Sequence, residues 1–389
     1  MRTLHIIDRL DRRMGGSVQA TLEICRYLAL DGQQVEVAGT IGSGDILDHL
    51  DGEFQNLTIH RFERSFPKRY ANSHEFNRWL SRSIKEYDIV EIHAIFSAMT
   101  LYAGRICRSV DKPYFIRPHG SLDPFDLRKH AALKRIVGPL LIRQLLSGAA
   151  AIILTAPLEA ERLVSYGANV RKIVLPLPVT LVEETGDRYA FRRRHSIPAD
   201  ALVVLFMSRI DYKKGLEFLI PALGILKKKC GGLWFVLAGA GEAKYTNLVQ
   251  KMIKGHELSP CTTQLGFVTG RAKQDALAAA DIFALPSLNE NFGIVNIEAM
   301  NAGLPLMISN EVYISGDVAR AGAGVICETN GRSVLMTLES MVNGTIDLKL
   351  MGKRGREFVS RQYRPETATR SLVRMYYEIL KPGGEGVDS

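Results

Sequence analysis

Cysteine, tryptophan and long apolar runs are all scarce in this chain, and each scarcity closes a class of explanation. Five cysteines (Cys25, Cys107, Cys230, Cys261 and Cys327) stand far apart among 389 residues, with no CxxC and no Cys/His cluster. A disulfide scaffold and a zinc site are disfavoured, and the thiols read as the reduced side chains of a cytoplasmic protein. The longest weakly polar stretch, residues 145–156, is too short to span a bilayer and contains a Ser-Gly break. The opening MRTLHIIDRL is an apolar run soon interrupted by charge, unlike a secretory signal. No GxxxxGK(S/T) is present, which disfavours a P-loop NTPase, and no GxGxxG completes itself: Leu47 and Cys327 stand where a third glycine would be. HExxH, GxSxG and DxD are also missing, so metal-free chemistry is expected, with no resident cofactor.

What is present is a basic excess and a regular alternation. Lys and Arg outnumber Asp and Glu by 50 to 41, a net charge of +9, which favours an anionic partner: nucleic acid, an acidic membrane or a phosphorylated small molecule. Short β-branched runs alternate with helical stretches, lapse into a polar segment over 176–201, and then restart. Such alternation predicts parallel sheets covered on both faces. The chain thus reads as α/β, with two Rossmann-like domains, 1–180 and 181–365. A C-terminal helix (366–381) packing back toward the first domain and a disordered tail (382–389) complete the expectation. The Arg192-Arg193-Arg194 run reads as a solvated linker helix.

Ligands of such sheets bind at the carboxyl ends of the strands, where three motifs fall. Met14-Gly15-Gly16-Ser17 follows the first strand, where two glycines admit close backbone approach and a helix start offers N–H groups to phosphate, with Ser17 as a candidate N-cap. Arg209 and Lys214-Gly215 share one loop after the first strand of the second domain; a fork and a point charge suit a diphosphate. The third motif runs from Glu290 through Asn291, Phe292, Gly293 and Ile294 to Glu298. With a helix starting near Phe292, the eight-residue spacing rises roughly 12 Å, about the separation of a hexose from a ribose across a diphosphate. The free N–H groups of Phe292, Gly293 and Ile294 would then face phosphate.

These residues, with Ala280-Asp281-Ile282 through Pro286-Ser287, Ile116-Arg117-Pro118-His119 through Asp123, and Gly239-Ala240-Gly241, resemble the retaining glycosyltransferases of family 4 (glycosyl transferases group 1). The resemblance implies the GT-B architecture, two facing Rossmann-like domains with an inter-domain cleft, residues 1–180 binding the acceptor and 181–365 the nucleotide sugar. It also implies a hexosyltransferase that is metal-independent, uses a UDP- or GDP-linked sugar, and serves polysaccharide or glycolipid biosynthesis on a glycan or lipid-linked acceptor. Carried over by residue, Arg209 and Lys214 would bind the diphosphate, with Gly15, Gly16 and Gly239 supplying backbone, and Phe267 and Val268 would lie by the base. Glu298 would hold the ribose; Glu290, Asn291, Phe292, Gly293 and Ile294 would hold the sugar. His119 would sit beside the anomeric carbon, making His119, Glu290, Arg209 and Lys214 the expected catalytic group, with His93 and Asp123 on the acceptor side. Asn291 departs from a frequent glycine and Asn301 from a usual small residue, which bears on sugar preference. Residues 127–146 read as one basic amphipathic helix without an acid, suited to an anionic membrane on the inner face of the cell. A sugar-nucleotide epimerase or synthase of the same fold, and a non-catalytic nucleotide-sugar or nucleic-acid scaffold, are the alternatives. Dispersed basic residues without interleaved aromatics argue against nucleic acid.

Overall fold

The computed structural model describes residues 1–129, 131–183 and 186–380; the tail expected to be disordered lies outside them. The chain divides into two compact units, residues 1–180 with 364–389, and residues 181–363. Each is built on a parallel sheet, and the two sheets are the Rossmann-like pair anticipated from the alternation.

The first sheet has the order β3-β2-β1-β4-β5-β6-β7. Its strands are β1 (Arg2–Arg9), β2 (Gln34–Ile41), β3 (Thr58–Glu63), β4 (Ile89–His93), β5 (Tyr114–Arg117), β6 (Ala151–Leu154) and β7 (Lys172–Val174). One face is apolar: Leu4, Ile6, Val90, Ile92, Ile116 and Ile152 pack against Phe76, Leu80, Met99, Ala103 and Leu145. The pleat sends alternate residues to the opposite face. There the register pairs His5 with Glu91 and His93 with Arg117, so four polar side chains share one buried patch. The Pro365–Leu380 helix belongs to this unit and places the Tyr376 ring 5.0 Å from Phe115.

The second sheet has the order β10-β9-β8-β11-β12-β13. It comprises β8 (Leu202–Met207), β9 (Leu233–Ala238), β10 (Thr262–Gly266), β11 (Ile282–Leu285), β12 (Leu306–Ser309) and β13 (Gly324–Cys327). Runs such as LVVLFM are apolar throughout because both faces of a parallel sheet are covered. In both units the strand order reverses between two central strands, β1/β4 and β8/β11, which creates the switch points where ligands bind such sheets.

Three local expectations are corrected. The basic stretch 127–146 is not one helix: it divides into Ala131–Val137, a π-turn over Gly138–Ile142, and Arg143–Ser147. Pro139 has no N–H to donate and cannot continue the ladder, while His130 lies outside the described residues. Nor is the arginine run of the Arg188–Arg194 helix wholly solvated, because Arg192 is buried. Its guanidinium donates to the Ala279 and Ala201 carbonyls and to Asp281 Oδ2 at 2.9 Å, tying the segment to the second unit. Finally, Ser17 is not an N-cap; the Gly16–Leu30 helix is capped by Gly15 at φ 77°, which an L side chain rarely adopts.

Candidate functional site

In the second unit, every expected donor residue follows the carboxyl end of a strand or lies in the helix beyond it. The loop after β8 carries Arg209, which is exposed and has no ion pair among the described residues, and Lys214, which is buried. Lys214 Nζ donates to Glu290 Oε2, from the loop after β11 on the other side of the switch point. The two loops are drawn together by backbone: Leu288 N donates to Lys213 O at 2.7 Å, and a Cβ on Gly215 would lie 2.0 Å from Pro286 O. Gly239, after β9, presses on the same loop, since a Cβ there would stand 1.8 Å from Ser208 O. Phe267 and Val268 follow the edge strand β10, with the Phe267 ring 65% exposed.

Glu290 lies in the loop ahead of the helix, where its motif puts it. Its N–H donates to Glu311 O and its carbonyl accepts from Tyr313 N, so it is held in an extended bridge beside Val312. The helix starts only at Ile294, after a left-handed Gly293 (φ 65°), and Phe292 is buried. Half of the expected helical rise between Glu290 and Glu298 is therefore loop, with Phe292 and Gly293 ahead of the helix and Ile294 at its start. Asn291 stands in that loop. Glu298 Oε1 accepts from Lys273 Nζ at 2.6 Å, a partner the sequence motif does not contain. Beside Glu290 and at the helix start lie buried polar groups to which the sequence gives no role: Ser287 Oγ, Asn289 Nδ2 and both side-chain atoms of Asn296 have no partner among the described residues. Unsatisfied polar atoms at this depth ordinarily call for a ligand or water.

The first unit carries its own cluster around the β1/β4 switch point. Gly15 and Gly16 follow β1, and a Cβ on Gly16 would meet open space. His93 ends β4, and His119 occupies the loop after β5 at φ 50°. The two rings are joined by a 3.0 Å contact between His93 Nδ1 and His119 Nε2, and a second 3.0 Å contact joins His93 Nε2 to His5 Nδ1 on β1. Neither His5 nor Glu159 was indicated by sequence motif. Glu159 secures the next residue of the His119 loop: its Oε1 accepts the Gly120 N–H at 2.8 Å, and burial pushes its carboxyl up. Asp123 caps the Pro124–Leu127 helix, accepting from Phe125 N at 2.6 Å.

Beneath these histidines, Glu91 accepts from Arg117 Nε at 2.7 Å and from the Tyr376 hydroxyl. Burial raises the Glu91 carboxyl, but Arg117, His5 and the Tyr376 hydroxyl outweigh it and hold it below its ordinary range. His5, Glu91 and His93 are near enough to one another to hold a cation, the one such group among the described residues. The Arg117 guanidinium already supplies the positive charge there, and a metal would have to displace it from Glu91.

Comparisons with known proteins agree with this architecture. Residues 14–181 match the family model described as Glycosyltransferase Family 4, and residues 187–358 match Glycosyl transferases group 1. A D-inositol 3-phosphate glycosyltransferase of Paenarthrobacter aurescens is 30% identical over 192 residues, 48% of this chain and 47% of that protein. A Mycobacterium tuberculosis protein, the GDP-mannose-dependent alpha-(1-6)-phosphatidylinositol monomannoside mannosyltransferase, is 28% identical over 200 residues, 49% of this chain and 51% of that one. The matches thus span about half the length of these curated relatives. Among solved structures, Anabaena HepE in complex with UDP-glucose superposes with a TM-score of 0.79 at 16% identity, covering 97% of this chain and 99% of that one.

Proposed function

The chain belongs to the family 4, group 1 glycosyltransferases, and we propose that it moves a hexose from a nucleoside-diphosphate sugar to an acceptor hydroxyl with the anomeric configuration retained. The observation that carries this reading is the grouping at the β8/β11 switch point of an exposed Arg209, a buried Lys214 and the Glu290 it touches. Arg209 and Lys214 hold the diphosphate and take up the charge of the departing phosphate, work that a bound metal does elsewhere. Glu290 and the N–H groups at the start of the Ile294–Asn301 helix hold the sugar, and Glu298 the ribose hydroxyls. In the first unit, the resemblance assigns His119 to the sugar and Asp123 to the acceptor side, whereas His93, fully buried with both ring nitrogens on other histidines, is not free to bind the acceptor. No carboxylate nucleophile is assigned; the acceptor hydroxyl attacks from the leaving group's side and passes its proton to the departing phosphate.

The relatives' names support a nucleotide-sugar donor and a polyol or lipid-linked acceptor without choosing the base, since one is GDP-mannose-dependent and a structural neighbour holds UDP-glucose. A thermal-shift screen over UDP- and GDP-sugars is expected to single out one donor by its rise in Tm. NMR of the product formed from that donor is expected to show the donor's anomeric configuration. Stabilisation by no nucleotide sugar, or an inverted product, would overturn the reading.

The acceptor side also bears on location. No helix among the described residues is long and apolar enough to cross a membrane. Leu133, Ile136, Leu140 and Leu141 are nevertheless exposed on the broken 131–147 stretch, Ile136 by 64% and Leu140 by 61%. Arg128, Lys129, Arg135 and Arg143 flank them, also exposed, whereas Lys134 is turned inward onto Asp126 O and the Phe96 ring. This surface suits peripheral binding to anionic lipid, where a lipid-linked acceptor would be met. Each basic side chain near such a surface is worth about 1 kcal/mol. Arg135→Gln with Arg143→Gln is therefore expected to lower partition onto phosphatidylglycerol vesicles about 30-fold in co-sedimentation. Partition equal to wild type would remove the membrane role.

A further inference from the structure

The two histidine–histidine contacts form one chain from the interior of the first unit to the loop assigned to the substrate. His5 and His93 are fully buried, and His119 is partly exposed at the end of the chain. The groups around them are Glu91 and Arg117 on the neighbouring strands, Tyr376 from the Pro365–Leu380 helix and Cys25 from the Gly16–Leu30 helix. Burial holds His5 down at about 4 and His119 at about 3, and His93 well below its ordinary value. At neutral pH each ring is thus uncharged and carries a single N–H. With one proton per ring, the direction of the first bond dictates the direction of the second.

Two directions exist. If protons point inward, His119 Nε2 donates to His93, His93 Nε2 donates to His5, and His5 is left with an N–H at Nε2. That atom is buried and has no partner among the described residues. If protons point outward, His5 Nδ1 donates to His93 Nε2, His93 Nδ1 donates to His119 Nε2, and the orphan at His5 is only a lone pair. Orphaned buried N–H groups are rarer and costlier than under-used acceptors. The inward arrangement would gain a weak approach of His93 Nε2 to Glu91 Oε1, but that separation is 3.5 Å and Oε1 already accepts from Arg117 at 2.7 Å. The outward direction prevails, and it puts the single proton of His119 on Nδ1, the nitrogen the chain does not occupy.

We propose that His93 and His5 are positioning residues whose hydrogen-bond chain holds His119 as the Nδ1–H tautomer, so that this ring offers a donor to an oxygen of the bound substrate. The proposal rests on the assignment of His119 to the sugar; it adds which nitrogen acts and which buried residues decide it. The test is long-range 1H–15N correlation on the full chain labelled at histidine, with the His119 signals assigned by their loss in His119→Gln. Wild type is expected to show His119 protonated at Nδ1. His5→Leu removes the first donor and is expected to give His119 in both tautomers, with kcat/KM lowered about tenfold, the factor one such hydrogen bond is worth. His5→Asn places an amide donor where Nδ1 was and is expected to restore both signals toward wild type. His119 protonated at Nε2 in wild type, or an unchanged tautomer in His5→Leu, would overturn the chain. Should the tautomer behave as stated while both His5→Leu and His119→Gln keep wild-type turnover, the assignment of His119 to the substrate falls instead.

Discussion

Lys214→Ala is expected to lower kcat by about 10²–10³-fold, the range seen when one preorganised group that meets developing charge is removed. The magnitude follows from its setting. Lys214 is 6% exposed, in a loop whose position is dictated by the left-handed Gly215 against Pro286 O, so its charge is held without reorganisation. The same substitution strands Glu290, whose side chain is only 17% exposed, and this costs the second unit about 1–3 kcal/mol. Activity and stability are separable through the pair. Lys214→Met with Glu290→Leu replaces both partners by apolar groups and is expected to recover most of the stability, as buried ion pairs often allow. It is not expected to recover turnover. Trp234, the second unit's tryptophan, reports unfolding when Trp79 is replaced by Phe. Turnover of Lys214→Ala within threefold of wild type, with folding intact, would remove Lys214 from the reaction.

Acidification is expected to destabilise the first unit well above the pH where its carboxylates titrate. His5 is fully buried and held down at about 4, against an ordinary value of 6.5, so the folded unit refuses a proton that the unfolded chain accepts. The stability this contributes is complete above about pH 6.5 and is lost as pH falls toward 4. For His5 alone the loss between pH 7 and 4.5 is about 2–3 kcal/mol. His119, held at about 3, extends the trend further into acid. Asp8 and Glu159, whose carboxyls burial pushes up, act in the opposite direction. The contribution of His5 is isolated by comparing wild type with His5→Asn, both carrying Trp234→Phe so that Trp79 reports the first unit. Urea titrations at pH 7 and 4.5 are expected to show wild type losing about 2–3 kcal/mol more than His5→Asn. Equal losses would mean that His5 is already protonated in the folded protein.

These predictions rest on different kinds of legibility. The strand-ending motifs could be read because a parallel sheet places every loop after a strand at one edge, whatever the details of packing. Arg209, Lys214, Gly239, Phe267 and Glu290 all fall at such loops. Boundaries were harder to read. The helix after Glu290 begins two residues later than expected because Gly293 takes a left-handed conformation that composition does not reveal. Residues 127–146 carry an uninterrupted basic and apolar pattern, and Pro139 still breaks it.

The alternation of β-branched runs and helices therefore determined, by itself, two α/β units and the loops that bear chemistry, since periodicity and strand-end position are local properties of the chain. Which side chains meet was decided only by tertiary structure. Lys214 and Glu290 are 76 residues apart, His5 and His93 are 88, and Glu91 and Tyr376 are 285. Strand order, register and the return of the Pro365–Leu380 helix bring them together, and no spacing rule encodes these. The same holds for Arg192, whose basic run reads as solvent-facing until the carbonyls of Ala279 and Ala201 and the carboxylate of Asp281 are found around it. Charge and hydrogen-bonding capacity are written in the sequence. Their partners are set by the fold, because a buried polar group is satisfied by whatever the packing places within 3 Å of it.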